Sequence, residues 1–487
     1  MDPSILLAVV AGYFGLLFII SLITGRNSDN RTFFSANRNS PWPLVAFGMI
    51  GTTLSGVTFI SIPGAIGAGG LNQGFSYMQV TMGYMLGYAT IALVLLPLYY
   101  RLKLTSIYAY LRQRFGFASH KTGSAFFLLS RIIGASFRLY LVGLVLDRFV
   151  LGPLGVSFET TVGITIILIW LYTFRGGIKT VVWTDTLQTA TMLIAVILTV
   201  FALGSEMNLG LGGMIDTIKA SDYSQWFFFE GGWSDPNNFF KQFLGGAFLT
   251  IVMTGLDQDM MQKNLTCRSL PDAKKNMFVF SGVLFVVKLM FVALGALLYI
   301  YAAHISMQIP MRSDALYPTL ALEHLSPVIG VVFIIGLIAA AYSSADSALT
   351  ALTTSFCVDI LELDKKNLSS KRSFLFRSLV HVAFAITLFR VIIIFNGVNN
   401  DAVINSLFRA AGYTYGPLLG LYAFGLFSKL QVRDLWVPVI CLASPIVCYI
   451  LNANSKALLN GYTFGFELLI LNGLLTFLGL WAISKRG

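Results

Sequence analysis

The sequence predicts an all-α integral membrane protein, on three observations. Of its 487 residues 56% are hydrophobic and 11% charged, with a mean hydropathy of +0.76, where a soluble domain carries roughly 25% charge. Apolar runs of about 20 residues, long enough to cross a bilayer as a helix, recur along the chain. The remaining charges gather in short segments between those runs. A soluble globule, a disordered chain, collagen and a secreted disulfide scaffold are excluded. Cys267, Cys357, Cys441 and Cys448 lie in or beside apolar runs and imply no disulfide framework.

Taken in order, about 13 transmembrane helices are expected, the first at about 4–25 and the second at about 43–67. The others centre near Gly87, Arg138, Ile166, Leu193, Ile251, Val286, Ala340, Ala385, Leu418, Val439 and Leu474. An odd count puts the termini on opposite sides. Alternate loops are basic: Arg26, Arg31 and Arg38; Arg101, Lys103, Arg112, Arg114 and Lys121; Arg175 and Lys179; Lys263, Arg268, Lys274 and Lys275; Lys365, Lys366, Lys371 and Arg372. The positive-inside rule makes these cytoplasmic, with the N-terminus outside and the C-terminus, beside Lys485 and Arg486, cytoplasmic. No Lys or Arg precedes the first run, so it reads as a retained helix and not a signal peptide. Loops of at most about 35 residues are too short to bury a separate core. The longest, from Glu206 to Asn238, carries Trp226, Phe227, Phe228, Phe229 and Trp233, and is expected to fold back on the membrane surface. The net charge of +11 is spread over these loops without the continuous basic face that binds nucleic acid, so no nucleic-acid partner is expected.

Polar residues inside spans are costly in hydrocarbon and mark candidate sites. In the second span, Gly48, Gly51, Thr52, Thr53, Ser55, Gly56 and Thr58 replace the leucines of a plain span. They point to a helix break, whose freed carbonyls need ions, water or protein; a close-packing glycine face is the alternative. In Ala340–Ser347, Ala340, Ser343 and Ser347 share a helical face with Asp346 nearby, a set of oxygens suited to a hard cation or a proton. Here the alternative is serines bonded back to carbonyls one turn earlier, with Asp346 paired to an arginine. The third cluster is Thr184-Asp185-Thr186-Leu187-Gln188, where Asp185 lies about 8 Å into its span at ~1.5 Å per residue. All three reach the cytoplasmic half of the membrane at similar depth, which favours a shared buried cation site.

Arg131 and Arg138 lie seven residues apart on one helical face and meet either a substrate carboxylate or an intramembrane aspartate. Asp257, Gln258, Asp259, Gln262 and Lys263 are expected to be a solvated helix end at the cytoplasmic boundary. His120, His304, His324 and His381 show no paired metal-ligand spacing. Hydrolase, zinc-protease and phosphate-loop motifs are missing, so neither an enzyme nor ATP-driven transport is expected.

With these residues laid out, the chain resembles the sodium/solute symporter family, which includes sialic acid, sugar, proline, pantothenate and iodide carriers. The resemblance rests on Phe33-Phe34-Ser35-Ala36-Asn37-Arg38, Gly51-Thr52-Thr53-Leu54-Ser55, Thr184 to Gln188, Asp257-Gln258 through Gln262, the serine cluster, and Gly412-Tyr413-Thr414-Tyr415-Gly416-Pro417. It implies a LeuT-like fold: an extra N-terminal helix (4–25), two inverted five-helix repeats (43–206 and 239–427) and C-terminal helices (432–484), all one transporter domain. The sodium ligands it implies are the carbonyls of Gly51, Leu54 and Ala340 and the hydroxyls of Ser343 and Ser344. A second cation set in some relatives matches Asp185, Ser343, Asp346 and Ser347, with a carboxylate at Asp346 where relatives have a hydroxyl. Substrate positions carry over to Ser55 and Thr58, with Gln79 a neighbour on the next span and Arg138 a further candidate.

The expected function is import of a small polar organic solute, a sugar or sugar acid, with sodium as the coupling ion and no cofactor. Sodium would bind from outside and complete the solute site, so that only the loaded or empty carrier rocks inward. The expected partners are the solute, sodium and the lipid bilayer, with no obligate protein partner. A multi-pass protein of the plasma membrane is expected, and the short tails lead us to expect a bacterial inner membrane. The rival readings are a proton-coupled carrier of the same fold, a cation channel, for which no filter loop is found, and a solute sensor.

Overall fold

The computed structural model describes residues 3–24, 39–104, 106–174, 177–363, 366, 369–398 and 403–485. The Phe33–Arg38 motif and the basic residues Arg26, Arg31, Arg175 and Lys365 lie outside the described residues. Among the described residues the regular structure is helical, apart from a two-stranded antiparallel pairing of Gln431–Val432 with Ser484–Lys485 and a single bridge between Ser40 and Cys267.

In order, the main helices are α1 (Pro3–Thr24), α2 (Trp42–Thr53), α3 (Gly56–Ala65), α4 (Gly74–Arg101), α5 (Phe117–Leu154), α6 (Phe158–Thr173), α7 (Gly177–Glu206), α8 (Leu211–Ala220), α9 (Phe239–Gly255) and α10 (Gln258–Asn264). They continue as α11 (Leu270–His304), α12 (Pro327–Ile360), α13 (Ser370–Val398), α14 (Val403–Thr414), α15 (Gly416–Phe427), α16 (Asp434–Ala453) and α17 (Leu468–Ala482). Eight are long and apolar enough to cross a membrane: α1, α4, α5, α7, α11, α12, α13 and α16. Two more crossings are bent pairs, α2 with α3 at 54° and α9 with α10 at 69°, while α6, α15 and α17 are shorter apolar helices.

The centre of the bundle is built from α2, α7 and α12, which pack on one another, with α5 and α11 alongside. α4 lies along α9, and α15 along α17. α1 touches α6, α7 and α12 and leaves Ile5, Leu16, Ile19, Leu22 and Ile23 exposed, the apolar surface a helix presents to lipid. The outer aromatic segment turns partly inward. Phe228 is buried and its N–H donates to Gln79 Oε1 at 3.1 Å, while Phe227, Phe229 and Trp233 stay exposed.

The expected break in the second span is present. Leu54 and Ser55 leave helical geometry, at ψ 82° and 177°, between α2 and α3. The close-packing alternative is true of the same segment. A Cβ on Gly51 would lie 3.1 Å from Ser343 Oγ and 3.3 Å from the Asp185 carbonyl, and one on Gly48 3.3 Å from Asp185 Cβ, so both glycines let α2 approach α7. The second break, at Leu256 and Asp257, is sealed from the basic end of the bundle. Tyr99 and Tyr108 hydroxyls donate to the carbonyls of Gly255 (2.8 Å) and Leu256 (2.9 Å), and the Ile107 N–H donates to Gln258 Oε1 at 2.9 Å. Asp359 holds this segment in place, accepting from Ser106 and Ser355 hydroxyls and pairing with His120.

The third interruption, between α14 and α15, is re-satisfied by one side chain. Asn472 Nδ2 donates to the carbonyls of Gly412 (3.0 Å) and Tyr413 (2.9 Å), and Gly416 packs so closely on Asn472 that a Cβ there would overlap it. Replacing Asn472 by Ala orphans two carbonyls in an apolar setting. We expect a loss of about 1–3 kcal/mol of stability, read as a lowered melting temperature of the detergent-solubilised protein.

Candidate functional site

The polar centre forms where the unwound end of α2 meets α7 and α12. The last carbonyls of a helix have no partner within it; that of Thr52 accepts from Ser344 Oγ at 3.1 Å. Asp185, on α7, accepts at Oδ1 from Ser343 Oγ (2.7 Å) and at Oδ2 from Thr52 Oγ1 (3.1 Å). The expected convergence of the three segments in one layer is therefore observed as direct hydrogen bonds. The three serines bond away from their own helix, Ser343 Oγ to Asp185, Ser344 Oγ to the Thr52 carbonyl and Ser347 Oγ to Asp259 Oδ1 at 2.5 Å. Among the described residues no arginine pairs with Asp346. It accepts from Tyr172 OH (2.9 Å), Thr184 Oγ1 (3.4 Å) and the Ser347 N–H (2.5 Å).

One expectation is corrected here. The Asp257–Lys263 segment is no solvated helix end: Asp257, Gln258, Asp259, Gln262 and Lys263 are all buried. The 69° bend turns α10 back into the bundle beneath α2 and α12. Lys263 forms an ion pair with Asp185 Oδ2 and also donates to Thr52 Oγ1. Arg131, on α5, pairs with Asp259 and lies 3.9 Å from Asp257, which also accepts from Tyr415 OH at 2.5 Å and from the Asp259 N–H at 2.9 Å. Buried charges persist only when paired or solvated by fixed dipoles, and these groups meet that condition through partners far apart in sequence.

Beside the α2–α3 break lies a cavity lined by Thr52, Thr53, Ser55 and Thr58 from the broken span, Tyr77, Tyr84 and Tyr88 from α4, Arg131 and Arg138 from α5, Lys288 from α11, and Ile404, Leu407 and Phe408 from α14. Ser55, Thr58 and Arg138 therefore share one cavity. Gln79 does not line it. Its amide is engaged by the Asn237 carbonyl (2.9 Å), Gln242 Oε1 (2.9 Å) and the Phe228 N–H (3.1 Å), a brace between α4 and the outer segment.

The two arginines of one face divide the roles that sequence left open. Arg131 meets aspartates, whereas Arg138 is buried with Nε and Nη1 free of hydrogen-bond partners. Lys288 was missed by the sequence reading. It is buried, bonded only to neutral Thr58 Oγ1 (3.2 Å) and Tyr77 OH (3.3 Å), and stands 5.2 Å from the Tyr77 ring centroid. A lysine in the middle of the run Phe285-Val286-Val287-Lys288-Leu289-Met290-Phe291 is itself the signal that marks it. Among the described residues no carboxylate pairs with Arg138 or Lys288, and no carboxylate lines the cavity. The cavity is thus lined by basic and hydroxyl groups, and the adjoining layer by the hydroxyls of Ser343 and Thr52 around the Asp185–Lys263 pair.

Known proteins share this architecture. A sequence model of the sodium:solute symporter family matches residues 33–432. The chain is 26% identical over 431 residues to the sodium/sialic acid symporter NanT of Aliivibrio fischeri, covering 86% of this chain and 82% of that one. It is 25% identical over 434 residues to the sodium/sialic acid symporter SiaT of Proteus mirabilis, covering 87% and 84%. The sodium/iodide cotransporter of Homo sapiens is 23% identical over 440 residues, covering 85% and 65%. In structure the chain is similar to a Na+-coupled sialic acid symporter in a substrate-bound outward-open state, with a TM-score of 0.82 at 22% identity, covering 99% of both chains. A nucleobase-cation-symport-1 family transporter in a closed conformation matches at TM-score 0.53 and 13% identity, over 93% of both chains. The fold is LeuT-like, and the protein is a multi-pass membrane transporter, not an enzyme. The chain belongs to the sodium:solute symporter family.

Proposed function

We propose that the protein imports a small polar organic acid, a sugar acid or a comparable carboxylate, together with sodium by alternating access. The observation that carries the choice of an acid is the cavity with buried Arg138 and Lys288 and no lining carboxylate. Two of the relatives are sodium/sialic acid symporters, and sialic acid is a sugar acid. Arg138 takes the carboxylate in a charge-assisted hydrogen bond, Lys288 a second acceptor of the solute, and Ser55 and Thr58 its hydroxyls. A neutral sugar would leave both cations desolvated and unpaired, which costs far more than the hydroxyl contacts return.

Sodium takes the carbonyls of Gly51, Leu54 and Ala340 and the hydroxyls of Ser343 and Ser344. Support comes from the end of α2 at Leu54, the bond from Ser344 to the Thr52 carbonyl, and the burial of all five residues. The set Asp185, Ser343, Asp346 and Ser347 is a second cation position. Because the sodium set spans α2 and α12, an ion there joins the two elements that alternating access moves apart, and solute bound against Ser55 and Thr58 stiffens the same break. Coupling is then a difference in affinity between two states. We further propose thirteen crossings, with repeats at about 43–206 and 239–427, the bent pairs α2–α3 and α9–α10 being the first members of the two. The N-terminus lies outside and the C-terminus in the cytoplasm, given the basic loops, and the membrane is a bacterial inner membrane, a reading supported by the two bacterial relatives.

In proteoliposomes, labelled sugar acids are expected to accumulate under a sodium gradient, with the neutral sugars excluded. Uptake of the neutral sugars alone, or with proton gradients alone, contradicts the proposal. Arg138→Gln is expected to raise KM for the acid roughly 10- to 100-fold, from the loss of about 1.5–3 kcal/mol in a charged hydrogen bond. Ser343→Ala is expected to reduce sodium-driven uptake by at least about tenfold while the purified protein still binds the acid weakly without sodium.

A further inference from the structure

The second cation position lies among groups that already hold a cation. Lys263 is 99% buried, its ammonium paired with Asp185 Oδ2 and donating to Thr52 Oγ1. The carboxylate that would draw a second sodium into the membrane thus meets a positive charge covalently attached to the chain. The oxygens of the other members are directed to separate partners and not to one common point. Ser343 Oγ is directed to Asp185 Oδ1, Ser347 Oγ to Asp259, and Asp346 toward Tyr172, Thr184 and the Ser347 N–H. Among the described residues Arg131 is the next cation in this layer, and it is committed to Asp259 and Asp257, so no second basic group stands ready to replace Lys263.

We propose that the Lys263 ammonium is the resident second cation of this carrier, so that one sodium, held by the Gly51–Ser344 set, accompanies each solute. This inference rests on the sodium-coupled reading given above and fixes its stoichiometry. The ammonium supplies the charge that stabilises Asp185 in hydrocarbon, and it links α10, α2 and α7 without an ion having to bind and leave in each cycle. A primary ammonium on a flexible stem fits three oxygen acceptors as a compact point charge. Removing it leaves a buried carboxylate flanked by the hydroxyls of Thr52 and Ser343, an oxygen-only pocket that suits a hard cation.

The test compares labelled sodium and labelled solute fluxes into the same proteoliposomes, with the sodium dependence of uptake, for the wild type, Lys263→Ala and Lys263→Arg. The wild type and Lys263→Arg are expected to take up about one sodium per solute with a Hill coefficient near 1, and Lys263→Ala about two with a Hill coefficient between about 1.5 and 2. A wild-type ratio of two overturns the inference while leaving sodium coupling intact, and so does a transporting Lys263→Ala that keeps a ratio of one. Solute uptake indifferent to sodium overturns the symport reading and the inference with it. If Lys263→Ala carries no solute, equilibrium binding of labelled sodium to the purified variant decides: about two ions per chain support the inference, about one overturns it.

Discussion

A peptide group that leaves helical geometry inside a membrane has no water to turn to, and the polar interior of this protein is organised around that constraint. Each of the three breaks is answered by a side chain from elsewhere in the sequence. Ser344 bonds the Thr52 carbonyl at the first, Tyr99 and Tyr108 bond Gly255 and Leu256 at the second, and Asn472 bonds Gly412 and Tyr413 at the third. The first break is left with carbonyls facing a layer of hydroxyls, the position proposed above for sodium. Breaks two and three are closed with protein donors and become joints.

Charge follows from the same economy. Lys263 pairs with Asp185 and Arg131 with Asp257 and Asp259, the extra carboxylate being met by the Tyr415 hydroxyl and the Asp259 N–H on Asp257, since an unpaired ion there would cost several kcal/mol. Arg138 and Lys288 depart from that rule, and both face the cavity. A protein pays to keep such groups unpaired only where a ligand supplies the missing charge. The proposed sodium layer and the proposed solute cavity share the α2–α3 break, Thr52 lining the cavity and bonding Asp185 in the layer. In the proposed mechanism, binding in either compartment stiffens the segment on which the other depends.

Much of this was legible in the sequence, for physical reasons. Gly48 to Thr58 could be read as a break because glycine and hydroxylated residues replace leucine there, and Ser343 to Ser347 as a site because such oxygens are costly in hydrocarbon. The 69° turn at Leu256 and Asp257 was not legible from residue types, and without it Lys263 falls at a membrane boundary instead of beneath α2. That single bend separates a solvated helix end from a buried ion pair. The division of labour between Arg131 and Arg138 depends on which of two residues on one face meets α10, and the engagement of Gln79 depends on Asn237 and Gln242 more than 150 positions away, where spacing carries no information. Lys288 was legible in principle, as a charge within an unbroken apolar run.

In the proposed mechanism the coupling of solute to ion depends on the layer joining α2 to α12 binding sodium in preference to other monovalent cations. Its most direct test is the melting temperature of the purified protein in sodium chloride against potassium chloride at equal concentration. A ligand that binds the folded state alone stabilises it in proportion to the logarithm of its concentration once above Kd, by about 2.7 kcal/mol at 100 Kd. The account predicts a melting temperature that climbs with sodium and not with potassium, and a loss of that climb in Ser344→Ala. Equal melting temperatures in the two salts at every concentration would contradict it.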